Sequence, residues 1–483
     1  MRWRAREGRA AVSKIHEWSG NALQAYDSQR RSSQAPGMAA TVAALKYCAR
    51  SRDIGSGRRI HCDLRQSSAL SRSILLENIL IDMYFKCGGV GEAWQLFQEM
   101  PHRNVVSWTS MILGSVDSGD PEVAWKLFSQ MQEQGVVADA RSYVAALKAC
   151  SSLVSRRKPQ DENGGDLLEK TKALHAQILK AGHESDIFVG SSLVDLYAKL
   201  GNLVEARHVF SRMESRDVVS WNSIISGHAR FGEGELALEL FEKMQEQGFK
   251  PSARTYVAAV LACSSLAVRE KGTLVDGTVV KVVSLRKGCA LHSQLGRDGL
   301  LPQLIVANSL IDFYVKCGSM ELAREVFDKM AKTSVVSWTS MITGYTHCDQ
   351  GEISLQFFER MQEKGLVPDA RTFVAALKAC SRCADGAKEK IVLLDRSWKI
   401  YSQLKQAGHE MDLFVASTLV DLFEKLGSMV YAQQVFYAQD IFDRMASNDM
   451  VLWNSIIRGY SQNSHDNLEL KTFATMLKMD IMN

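Results

Sequence analysis

The sequence predicts an all-α fold, an α-solenoid of about eleven stacked helical hairpins, and three observations predict it. Short phrases recur along the chain at a fixed beat, each carries apolar residues at helical spacing, and only 7 prolines interrupt 483 residues. The phrase "VVSWTSMI" begins at Val105 and returns unchanged at Val335, with variants "VVSWNSII" at Val218 and "MVLWNSII" at Met450. Their tryptophans, Trp108, Trp221, Trp338 and Trp453, stand 113, 117 and 115 residues apart. A second phrase keeps the same beat: "VAALKYC" at Val42, "VAALKAC" at Val144 and Val374, and "VAAVLAC" at Val257. A third runs "NILIDMYFKCG", "SSLVDLYAKLG", "NSLIDFYVKCG" and "STLVDLFEKLG" from Asn78, Ser191, Asn308 and Ser417. The repeat is therefore a triplet of three related units.

Each unit has the pattern of a helix, a turn and a second helix. In Val218–Ser252, Trp221, Ile224, Ile225 and His228 recur at helical spacing, Gly232–Gly234 interrupts, and Leu236, Leu240, Phe241 and Met244 form a second stripe. Gly248 and Pro251 supply the stop. One such hairpin cannot bury its apolar faces alone, whereas a stack of them can. No linker-like stretch breaks the array. Third-phrase units span 74–104, 187–217, 304–334 and a longer 413–449. Trp units span 105–139, 218–252 and 335–369, with an incomplete one over 450–483. The "VAALKAC" units are longer, 38–73, 140–186, 253–303 and 370–412. Their surplus, as in "SRRKPQDENGGDLLEK" and "REKGTLVDGTVVKVVSLRK", follows the first helix and is expected to form surface loops. "YAQQVFYAQDIFDRM" has the look of a small internal duplication that would distort stacking in the last such unit.

Composition narrows the class. With 46% hydrophobic and 23% charged residues the chain is that of a folded protein, and a net charge of +4 permits nucleic-acid binding without arguing for it. Ten cysteines fall mostly in periodic apolar stretches, as expected of reduced thiols packed as small hydrophobes. Cys380 and Cys383 make a lone C-x-x-C without a second pair, so no metal is expected. No apolar run is long enough to span a membrane. Residues 1–37 hold seven Lys/Arg against three acids and are expected to be a basic N-terminal arm or an organelle transit peptide.

The residue after each Trp is polar and alternates: Thr109, Asn222, Thr339 and Asn454. It lies about 100° around the helix from the Trp, so with the Trp turned into the stack it faces a groove lined by first helices. At the same place the third-phrase units carry Asn78, Ser191, Asn308 and Ser417, and the long units carry Val42, Val144, Val257 and Val374. A second polar residue ends most units: Asn104, Asp139, Asp217, Ser252, Ser334, Asp369 and Asp449. Helix capping and ligand recognition both account for these residues.

"VVSWNSIISG…ALELFEKMQEQGFKP", "TYVAAVLACSSL" and "IFVGSSLVDLYAKLGNLVEARHVFSRMESRD" resemble the P, L and S units of pentatricopeptide repeats, specifically the plant PLS subclass. The resemblance covers residues 38 to 483. It implies a right-handed α-solenoid and binding of single-stranded RNA, one base per repeat, through a few side chains in each unit. The two polar positions match the family's base-reading pair, and Val106, Val219, Val336 and Val451 match its apolar base-sandwiching position. The code carried over gives G for Thr109 with Asp139 and for Thr339 with Asp369. It gives C for Asn222 with Ser252 and for Asn308 with Ser334, and a pyrimidine for Asn78 with Asn104. Ser191 with Asp217 and Ser417 with Asp449 lean to G. The L units, pairing Val with Asp186, Gln303 or Asp412, contribute little. The implied register is Y-G-n-G-C-n-C-G-n-G, with a further pyrimidine at Asn454.

The resemblance implies organellar RNA processing, in mitochondrion or chloroplast, with selection of cytidine-to-uridine editing sites as the leading role. RNA stabilisation or splicing, and a protein-binding helical scaffold, are the alternatives. Zinc cytidine deamination needs H-x-E with P-C-x-x-C, and no H-x-E occurs in the sequence. No P-loop, dinucleotide fingerprint or Ser–His–Asp setting occurs either. The chain is thus expected to be non-catalytic and monomeric, to need no cofactor, and to rely on a deaminase or accessory editing factors acting in trans.

Overall fold

A computed structural model describes residues 22–31, 36–67, 73–156, 164–275, 278–384 and 390–409, with isolated positions from 415 to 426. Among the described residues the elements run α1 (22–31), α2 (Met38–Ser51), α3 (Ile54–Gln66), α4 (Ile74–Lys86), α5 (Val90–Glu99), α6 (Val105–Asp117), α7 (Pro121–Glu133), α8 (Ala140–Arg156), α9 (Gly164–Lys180), α10 (Ile187–Lys199), α11 (Leu203–Arg212), and α12 (Val218–Arg230). They continue with α13 (Gly234–Glu246), α14 (Ala253–Arg269), β1 (Thr273–Val275), β2 (Thr278–Val280), α15 (Val282–Arg297), α16 (Leu304–Lys316), α17 (Met320–Asp328), α18 (Val335–His347), α19 (Gly351–Glu363), α20 (Ala370–Ala384) and α21 (Lys390–Gln406). The chain divides into two compact units, Met1–Gly227 and His228–Asn483.

In the first unit the first helices α2, α4, α6, α8 and α10 pack each on the next, and α3, α5, α7 and α9 each pack against their own first helix and the following one. In the second unit α14, α16, α18 and α20 form the same succession. The fold is an α-solenoid, a row of hairpins that bury their stripes against neighbours. The repeated Trp explains part of this. Trp108 meets Phe97 of α5 edge-on at 4.9 Å, Trp221 meets Phe210 of α11 at 4.7 Å, and Trp338 meets Phe327 of α17 at 4.8 Å. All three indoles are buried, so each Trp fastens its unit to the second helix of the unit before.

Glycine in the same helices lets backbones approach. A Cβ on Gly227 of α12 would lie 2.7 Å from Ala198 Cβ of α10, and one on Gly344 of α18 would lie 2.6 Å from Val315 of α16. The outer faces carry ion pairs between second helices: Arg58 and Arg65 of α3 pair with Glu92 and Glu99 of α5, and Arg396 of α21 pairs with Glu352 of α19. All ten cysteines are free thiols, and burial pushes those of Cys150 and Cys380 up to about 12. No helix among the described residues is long and apolar enough to cross a membrane.

Within the basic N-terminal segment 1–37, α1 packs on α3: Tyr26 is buried and donates to Asp63 at 3.2 Å, and Arg59 pairs with Asp27 at 2.9 Å. One expectation is corrected. The insertion in 253–303 is not a plain loop. Strands β1 and β2 pair antiparallel, with Leu274 opposite Val279, and Lys281 N–H donates to the Cys317 carbonyl at 3.0 Å. The duplication-like stretch over 431–445 lies outside the described residues.

Candidate nucleic-acid interface

The candidate interface lies at the N-terminal turns of the first helices. Most of these helices open after a polar residue whose side chain accepts a free amide N–H of the first turn, because those donors have no partner within the helix. Asn104 accepts Ser107 N–H at 3.0 Å, Asp139 accepts Ser142 N–H at 2.8 Å, Asp217 accepts Ser220 N–H at 2.7 Å, and Asp369 accepts Thr372 N–H at 2.8 Å. Ser252 and Ser334 form capping boxes with Thr255 and Ser337. Capping is therefore real at the last residue of these six units.

The fifth residue of the helix does not cap. The hydroxyls of Thr109 and Thr339 donate back to the carbonyls of Val105 and Val335 at 2.7 and 2.8 Å. Their second contacts run forward into the next unit. Thr109 meets Ser142 at 2.7 Å, and Ser142 donates to Asp139 Oδ1 at 2.8 Å. Thr339 meets Thr372 at 2.6 Å, and Thr372 donates to Asp369 Oδ1 at 2.7 Å. In the shorter units the contact is direct: Asn78 donates to Asn104 at 3.3 Å, Ser191 to Asp217 at 3.0 Å, and Asn308 to Ser334 at 3.4 Å. The fold thus joins the fifth and last residues of five units.

The pairs lie deeper than an open groove wall. Thr109, Asn78 and Ser191 are at most 7% exposed, in the seam between consecutive first helices. Their carboxylates are only partly spent: the bonds to Asp139, Asp217 and Asp369 all fall on Oδ1, and Oδ2 accepts none among the described residues. Asn78 Oδ1 is buried with no hydrogen-bond partner among the described residues. Asn222 is in the first compact unit and Ser252 in the second. Ser417, Asp449, Val451, Asn454 and Asp412 lie outside the described residues.

Beside each pair stands the second residue of the helix, one turn before the fifth. Val106, Val219 and Val336 are 48 to 57% exposed. Leu75, Phe188 and Ile305 stand at the same place in the shorter units, 51 to 67% exposed. These three were missed in the sequence, although counting from each helix start would have found them. The long units keep Val144, Val257 and Val374 half-buried at the fifth position, where no side-chain hydrogen bond can form. Asp186 caps α10 through Phe188 and Val189 N–H at 2.9 and 3.0 Å, whereas Gln303 makes no side-chain cap bond. Among the described residues no three His, Cys, Asp or Glu side chains group to hold a metal.

Comparison with known proteins agrees with the repeat fold. Profiles described as PPR repeat family match residues 103–152, 216–264 and 333–382, and those described as PPR repeat match 78–105, 191–218, 305–334 and 451–481. A pentatricopeptide repeat-containing protein of Arabidopsis thaliana is 32% identical over 422 residues, 87% of this chain and 52% of that protein. A mitochondrial one from the same plant is 31% identical over 96% of this chain and 66% of its own length, and a chloroplastic one is 29% identical over 90% and 48%. The chain thus spans about half to two thirds of the length of these relatives. The pentatricopeptide repeat protein PPR10, crystallised with an 18-nt psaJ RNA element, shares the fold with a TM-score of 0.55 at 16% identity, covering 94% of this chain and 71% of that one. The chain belongs to the pentatricopeptide repeat family.

Proposed function

We propose that the chain binds single-stranded RNA sequence-specifically in a plant organelle, one base per repeat, and that it is of the PLS subclass. The observation that supports this most is the recurring pair of fifth and last residues, joined across 26 to 30 residues of chain, with carboxylate Oδ2 or amide atoms unspent and an exposed apolar side chain one turn away. An acceptor at the seam edge suits the N–H donors of guanine, an amide or hydroxyl pair suits a base edge that mixes donors and acceptors, and the apolar neighbour suits a base face. PPR10, crystallised with RNA, shares the fold, and the relatives named mitochondrial and chloroplastic make an organelle the expected compartment.

Within that reading the chain selects sites for cytidine-to-uridine editing, with deamination supplied by a partner acting in trans. The test is binding of the purified chain to an RNA carrying YGnGCnCGnG against one with the second and eighth bases, both G, replaced by A, at one salt concentration near physiological. Preference for the first supports the pairs as base readers. Equal binding to both removes the register, and no binding to either favours the protein-scaffold alternative, to be pursued by identifying a peptide partner of the same face.

A further inference from the structure

The second position of the first helix has a period of its own. In the first compact unit it reads Leu75, Val106, Arg141, Phe188 along α4, α6, α8 and α10, and in the second Arg254, Ile305, Val336, Arg371 along α14, α16, α18 and α20. Every long unit from 140 on places an arginine where the other units place an exposed apolar side chain. All three arginines are exposed, and none has a hydrogen bond or ion pair among the described residues. Arg58, Arg65, Arg212 and Arg396 on second helices are instead paired with carboxylates.

The placement also runs against local electrostatics. Each arginine sits in the first turn of its helix, where the unsatisfied N–H groups carry partial positive charge and a cation is disfavoured. A feature that breaks a local rule three times at one register position points to a ligand that compensates it. The guanidinium is planar and weakly hydrated, so it can cover a nucleobase face as an apolar side chain does while adding positive charge. One turn on, the fifth residue of the same helix is Val144, Val257 or Val374, which cannot hydrogen-bond to a base edge.

We propose that Arg141, Arg254 and Arg371 each lay the guanidinium plane on the face of an RNA base opposite a long unit, giving those units a base-identity-independent grip in place of readout. This rests on the RNA-binding reading above. Because the side chains are exposed, and unpaired among the described residues, R141A, R254A and R371A are expected to fold like the wild type, checked by thermal melting.

The experiment measures binding of the wild type and of the triple alanine variant to the register RNA, and to the same RNA with abasic residues at its three n positions. The expected result is a loss on the order of 100-fold for the triple variant on intact RNA, with a shallower salt dependence, and near-equal binding of both proteins to abasic RNA. Equal binding of both proteins to intact RNA overturns this inference while leaving RNA binding standing. An undiminished difference on abasic RNA also overturns it, because the contact is then to phosphate. A wild type that binds no RNA overturns the underlying reading and this one together.

Discussion

The Ser191 hydroxyl donates to Asp217 Oδ1 at 3.0 Å, and the same oxygen accepts the Ser220 N–H at 2.7 Å, so one carboxylate atom both caps α12 and orients the fifth residue of α10. On the proposed RNA-binding reading, cap and reader are one side chain with separable chemistry. Asp217→Asn keeps an Oδ1 acceptor and is expected to leave stability nearly unchanged, since Asn caps as well as Asp. It replaces Oδ2 with a donor amide, so preference for G at the fourth base should weaken in favour of a base offering an acceptor, such as adenine. Asp217→Ala should lose both, at about 1 kcal/mol of stability. Melting curves and binding to RNAs varied at that base check the pair. An unchanged base preference in Asp217→Asn would leave Asp217 a cap only.

Trp338 is fully buried between Phe327 and Phe357, with its indole N–H donating to Thr333 at 3.1 Å. Trp338→Ala removes the fastener between two repeats and should cost about 3–5 kcal/mol. Trp125, half-buried on the second helix α7, should cost distinctly less on the same change. Urea unfolding of both variants measures the difference. Because each repeat holds only its neighbours, the loss at Trp338 should also broaden the transition by uncoupling the array locally.

Two glycines in helices should respond with opposite signs. Gly227 faces Ala198, whose short side chain cannot rotate away, so a Cβ there forces α10 and α12 apart. Gly227→Ala is expected to destabilise by about 1–3 kcal/mol. Gly91 in α5 has nothing within 4 Å of a Cβ, so Gly91→Ala should stabilise by about 0.4–1 kcal/mol through the unfolded chain. Thermal melting reads both.

What the sequence revealed and what it hid follow one physical line. The Trp phrase, the polar fifth residue and the unit-ending cap were legible because each is set within one helix start, where periodicity and capping chemistry act over a few residues. Contacts between units were not. His61, His175 and His292, in the second helices α3, α9 and α15, meet Tyr84, Tyr197 and Tyr314 of the following first helices at 2.6 to 3.0 Å. Nothing local in either helix announces that contact, because it depends on how two hairpins are rotated against each other. Leu75, Phe188 and Ile305 were overlooked because three consecutive apolar residues at a helix start look like core until exposure separates them. The β1–β2 hairpin stands where the sequence reading expects a loop, although "VDGT" puts an Asp-Gly between two β-branched runs.

Those three histidines give the fold a pH dependence. Burial is the largest effect on each and holds its pKa below the ordinary value of 6.5. Charges nearby pull in both directions: Arg65 lowers and Glu99 raises His61, Glu205 and Glu184 raise and His208 and Arg212 lower His175, and Glu325 raises and Lys329 lowers His292. A depressed histidine pKa means that the unfolded chain binds protons more readily than the folded one below 6.5. Stability from these sites is therefore complete above the unfolded value and falls as pH drops below 6.5 toward the lowered folded values. The melting temperature should decline through that interval, and the triple variant H61Q, H175Q and H292Q should show a flatter profile over the same range. A wild-type melting temperature that stays level between pH 7.5 and the onset of carboxylate titration, about pH 5, would remove the histidines as the cause.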